Sequence, residues 1–80
     1  MVDLKKILTD IASAIVDHPD QVTVTDSDEN GDVLLSLSVA PEDMGKVIGK
    51  QGRIAKAIRT VVKAAAIKQN KRVTVDIIDE

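Results

Sequence analysis

The sequence contains no cysteine and no phenylalanine, tyrosine or tryptophan. Without cysteine there is no disulfide framework and no thiolate metal site. Without aromatic side chains there is no platform on which successive bases could stack, and any core must be built from Ile, Val, Leu and Ala. Histidine occurs once, at His18. With no Cys, no Tyr and a single His, no nucleophile–base pairing can be assembled, so an enzyme is not expected. No stretch approaches the roughly 20 apolar residues of a membrane span. The start, Met1 to Ile7, lacks the basic segment and unbroken apolar run of a signal peptide. The expectation is a cytoplasmic chain with no metal, cofactor or membrane contact. Eighty residues fold as one domain over 1–80, and so small a core makes oligomerisation or a partner a reasonable expectation.

What the sequence does have is segregated charge. Residues 1–43 carry ten acids against Lys5 and Lys6, whereas 44–75 carry nine bases and no acid. The overall net charge of −2 conceals this division. It is the pattern of a chain with one face built for an anion, or of a long helix with solvated lysines.

Hydrophobic periodicity orders the elements. Asp3 is an N-cap candidate ahead of Leu4, Ile7, Leu8, Ile11 and Ile15 on one helical stripe, and His18-Pro19 ends that helix. Gln21–Thr25 and Val33–Val39 alternate as strands. Between them, Asp26 to Asp32 reads as a mobile acidic hairpin loop around Asn30-Gly31. Pro41-Glu42-Asp43 opens a short helix that Gly49 cuts near Ile48. A longer helix runs from about Gly52 to Gln69. Ile54, Ile58, Val61, Val62 and Ala65 lie on one side of it, with Arg53, Lys56, Arg59 and Lys63 opposite. Val73, Val75 and Ile77 mark a last strand. The order α-β-β-α-α-β predicts an α+β domain, three helices on one face of a three-stranded mixed sheet.

The junction of the last two helices carries the chemistry. In Gly49-Lys50-Gln51-Gly52, glycines permit a sharp turn and close approach of another backbone. The amides of Gly49 to Arg53 lie at a helix N-terminus, a ready phosphate site. Lys50 and Arg53 add positive charge, with Lys46 and Lys56 one turn away on either side. Other patterns are set aside. Asp26-x-Asp28-x-Asn30 opens like a calcium loop, but Leu37 stands where the bidentate Glu belongs. Gly45 to Gln51 is one residue short of a phosphate-binding Walker loop. His18, at a helix C-terminus, reads as a dipole partner. Ala64-Ala65-Ala66, Leu34 and Ile78 are candidates for a subunit contact.

The run Val47-Ile48-Gly49-Lys50-Gln51-Gly52-Arg53-Ile54-Ala55-Lys56-Ala57-Ile58 resembles the KH motif, V-I-G-x-x-G-x-x-I-x-x-I. The element order is that of the bacterial type II KH domain. Together with the length and the start Leu4 to Leu8, the chain resembles the KhpA family of small bacterial KH proteins. The resemblance implies a groove that takes four nucleotides of single-stranded RNA. By position, Gly49, Lys50, Gln51 and Gly52 would hold the backbone and Ile48, Ile54 and Ala55 line an apolar floor. The strand Val33–Val39 and the acidic loop would form the other wall, with Ile58 left to packing. It also implies a homodimer or a larger partner, KhpB, and a role as RNA chaperone or regulator linked to cell elongation and cell-wall homeostasis. Two rivals stand beside it: a dimerisation scaffold with the same fold, and a single-stranded DNA binder, since no residue here reads a 2′-hydroxyl.

Overall fold

The chain starts its first helix where a side chain can satisfy the orphan amides. The computed structural model describes residues 3–78. In it the Asp3 carboxylate accepts from the amides of Lys5 and Lys6 at 3.0 and 3.3 Å, which caps helix α1, Leu4–Ile15. Leu4, Leu8 and Ala12 are buried, and Ile7 and Ile11 flank them. Ile15, at the end of the expected stripe, is exposed instead.

Strands β1 (Thr23–Glu29) and β2 (Asp32–Ser38) pair antiparallel, Thr23 opposite Ser38 through Glu29 opposite Asp32. The connection is therefore two residues, not seven. Asn30 and Gly31 both have positive φ, 55° and 86°, as a tight hairpin turn requires. Most of the acidic segment expected as a mobile loop is strand, because pairing with the apolar β2 overrides its poor strand propensity. Strand β3 (Arg72–Ile77) lies parallel to β2 on the other side, so β2 is central and the sheet is mixed.

Between β2 and β3 come helix α2, Met44–Ile48, and helix α3, Arg53–Lys68. The chain leaves α3 through a Schellman turn. Asn70 is left-handed, its amide donates to the Ile67 carbonyl, and that of Lys71 donates to Ala66 at 3.0 Å. Among the described residues, only one sheet face is covered. Val24, Val33, Leu35, Leu37, Val73 and Val75 point under the helices, and Leu34, Thr74 and Asp76 point to solvent. The fold is the α+β type II KH arrangement, order α-β-β-α-α-β, as expected from the periodicity.

The core face of α3 is rotated from the one read off the sequence. Ala55, Ile58, Val62 and Ala66 are buried, while Ile54 and Val61 are 40% and 52% exposed. Hydropathy favours the larger aliphatics, but a helix packed on both α1 and the sheet approaches closely through small residues. Ala55 and Ala66 go inside.

Candidate nucleic-acid interface

Backbone geometry at 49–53 decides which groups are offered to a ligand. Gly49 closes α2 at φ 75°, ψ 176°, a region glycine alone occupies freely. A Cβ there would stand 2.5 Å from Ile54 Cγ1 and 2.9 Å from the Ile54 backbone nitrogen. Gln51 (φ 59°, ψ 25°) and Gly52 (φ 74°, ψ 14°) then turn left-handed into α3. Three of the five amides are spent inside the turn. Gly49 donates to Gly45 at 2.8 Å, Gly52 to Gly49 at 3.2 Å, and Arg53 to the Lys50 carbonyl. Of these five, only the amides of Lys50 and Gln51 have no backbone acceptor among the described residues. The sequence alone offers all five; the internal bonds of the turn reduce the donors to two neighbouring ones.

The cations around the turn fall into two kinds. Lys46 is ion-paired to Asp17 and lies 3.6 Å from Asp43. Its hydrogen bond to Asp17 raises its pKa against the opposing effect of burial. Asp43 is 1% exposed. Burial alone would raise its pKa, but the amides of Asp17 and His18 and the charges of His18 and Lys46 pull it below the ordinary value. Lys50, Arg53 and Lys56 are exposed, and no carboxylate pairs with them among the described residues.

The apolar residues separate likewise. Ile48 is half-buried against the core, and Ile54 is exposed beside the turn. Ala55 is 4% exposed on the core face, turned away from the surface that carries Ile54. Ile54 also borders a shallow apolar groove of about 450 Å³ between α1 and α3, shared with Ile11, Ile15, Ala57 and Val61. Reading each helix as one apolar stripe hides this groove, because Ile15 and Val61 are assigned to the core. Among the residues considered for a subunit contact, Leu34 and Ile78 are exposed, whereas Ala66 is buried.

The second wall also differs from expectation. Strand β2 has neighbours on both edges and its apolar face under the helices, so it cannot border an open groove. The strand with a free edge beside α3 is β3. Arg72 and Ile78 donate to Gly31 and Leu37. By alternation, Val73, Val75 and Ile77 direct their main-chain groups outward. Arg59 Nε takes up the Val75 carbonyl at 3.1 Å. The acidic residues of β1 lie elsewhere: Asp26 faces Lys5 at 3.9 Å and Asp28 faces Lys71 at 2.9 Å.

A family described as "KhpA/KhpB, KH domain" matches residues 5–77, across the turn and every element around it. The chain belongs to the KhpA/KhpB KH-domain family. The "RNA-binding protein KhpA" of Clostridium acetobutylicum is 63% identical over 75 residues, 94% of this chain and all of that protein. The protein of that name from Halalkalibacterium halodurans is 58% identical over 76 residues, again its whole length. Among solved structures, Era in complex with MgGDPNP and nucleotides 1506–1542 of 16S ribosomal RNA matches with a TM-score of 0.64. That match covers 96% of this chain but 31% of Era, at 14% identity, and is a likeness of fold. Within this KH domain, the glycine turn, the two free amides and the three unpaired cations occupy one end of α3.

Proposed function

We propose that this chain binds single-stranded RNA, holding its sugar-phosphate backbone at Gly49-Lys50-Gln51-Gly52. The supporting observation is the coincidence of two unspent amides, at Lys50 and Gln51, with three unpaired cations, Lys50, Arg53 and Lys56. Amides and cations together suit a phosphate, and Ile48 and Ile54 supply apolar contact beside it. Few side chains here can read base edges, so binding tolerates sequence and weakens with salt. The likeness to proteins named RNA-binding KhpA favours RNA over single-stranded DNA. In this proposal the chain is a cytoplasmic, non-catalytic RNA chaperone or post-transcriptional regulator. It acts as a homodimer or with KhpB, in processes tied to cell elongation and the cell wall.

The exposed groove of Ile11, Ile15, Ile54, Ala57 and Val61 favours a second reading, a scaffold that seats another copy. One experiment separates the two. RNA binding is measured for the wild type and for Lys50→Asp combined with Gln51→Asp, with size-exclusion chromatography on both. Aspartate tolerates the left-handed backbone at 51, so the fold is kept. A loss of at least about tenfold is expected from reversing charge at a phosphate grip, with oligomeric state unchanged. Equal binding by the variant refutes the grip, and competition between RNA and DNA of one sequence tests the sugar preference.

A further inference from the structure

Lys46 is separated from the other cations of the turn by its partners. Asp43 is fully buried, and its two oxygens accept from the amides of Asp17 and His18 at 3.2 and 2.9 Å. These amides belong to the segment that follows α1, 25 and 26 residues away in sequence. The Lys46 ammonium closes the arrangement by pairing with both Asp17 and Asp43. Helix α2 has five residues, too few to hold its own direction in water. One end of it is tied by this cluster, and the other end is Gly49. The direction of α2 therefore sets where the Lys50 and Gln51 amides point. For Lys46 to reach a phosphate it would have to leave a buried carboxylate short of its counter-charge, which is costly.

We infer that Lys46 is not a phosphate contact but a positioning residue, which with Asp17 and Asp43 latches α2 and thereby aims the turn. The inference rests on the turn being the nucleic-acid grip. Charge and position then predict opposite signs at Asp43. Removing a negative charge near an RNA site tightens binding if only charge matters, whereas loosening the latch weakens it.

The test compares Lys46→Met, Lys46→Arg, Asp43→Asn and Lys50→Met for binding to a short unstructured single-stranded RNA across a salt series. Amide resonances and hydrogen exchange are followed in the free proteins. Lys50→Met should lower the salt slope by about 0.7, one phosphate contact on a single strand. Lys46→Met should leave the slope unchanged and weaken binding several-fold at every salt concentration, with Lys46→Arg restoring most of it. If the aimed turn is then populated only a tenth of the time, the weakening is about tenfold. Asp43→Asn should also weaken binding. A slope lowered by Lys46→Met as much as by Lys50→Met, or tighter binding by Asp43→Asn, overturns the latch. In the free protein, Lys46→Met should shift the Lys50 and Gln51 amide resonances and speed exchange at Asp17 and His18. If these stay put, the latch is wrong whatever happens to RNA. If they move while Lys50→Met binds as the wild type does, the grip reading fails and the latch stands.

Discussion

Replacing Gly49 by alanine should cost far more than the same change at Gly52, although both glycines have positive φ and stand three residues apart. At Gly49 two penalties combine. The conformation φ 75°, ψ 176° is one that L-residues rarely adopt, worth about 1–3 kcal/mol. The new methyl would also sit 2.5 Å from Ile54 Cγ1, 2.8 Å from Ile54 Cβ and 2.9 Å from the Ile54 nitrogen. The first of these can be relieved by a rotamer change; the last cannot, because that nitrogen is backbone in the first turn of α3. Overpacking of this kind adds about 1–3 kcal/mol. At Gly52 the backbone is simple left-handed helix, φ 74°, ψ 14°, and nothing stands within 4 Å of a Cβ. The cost there is only the left-handed preference, about 1–2 kcal/mol for alanine and less for asparagine. A loss of about 3 kcal/mol lowers the midpoint of so small a domain by about 12–24 °C, and 1 kcal/mol lowers it by about 4–8 °C. Thermal unfolding followed by circular dichroism measures both. Ile54→Ala on top of Gly49→Ala should recover only part of the loss, since the Cβ and nitrogen contacts remain. Equal midpoints for the two alanine variants, or full rescue by Ile54→Ala, would refute the reasoning.

Two further outcomes follow from the side-chain partners. The Asp43 pKa is held below its ordinary value of 3.8 and that of Lys46 above 10.5. A depressed carboxylate contributes stability above its unfolded pKa and loses it as pH falls through the folded value. A raised amine contributes below its unfolded pKa and loses stability as pH rises through the folded one. The contribution of Asp43 should thus fall below about pH 5 and that of Lys46 above about pH 10; in urea titrations, Asp43→Asn should flatten the acid limb and reduce the alkaline one only in part, because Asp17 still pairs with Lys46. At the sheet edge, Arg59→Ala frees the Val75 carbonyl. It should cost about 1 kcal/mol, a typical net hydrogen bond, and raise the tendency to self-associate through β3. Light scattering and thermal unfolding check this, and an unchanged Arg59→Ala would remove the edge role.

The features legible in the sequence are those whose cause lies within a few residues. The Asp3 cap, the Asn30-Gly31 turn and the glycine pair at 49 and 52 are each set by local backbone demands, and the structure has all three. The features missed arise where distant segments meet. Asp26 to Glu29 reads as loop because its composition is polar, yet pairing with Leu34 and Leu35 makes it strand. The α3 stripe reads as Ile54 and Val61 because hydropathy weights volume, yet close packing chooses Ala55 and Ala66. Lys46 reads as one more base beside the turn, because nothing local shows that Asp17 will stand next to it. Ile54 joins the two kinds. From its place beside the turn it reads as groove floor, which its exposure allows. Its backbone nitrogen is also the nearest main-chain atom to where a Gly49 side chain would be. The backbone conformation at 49 and the close approach of the main chain at 54 thus both demand glycine there, and the same approach sets Ile54 beside the turn. The first glycine of the motif therefore records packing against residue 54 as much as contact with a ligand.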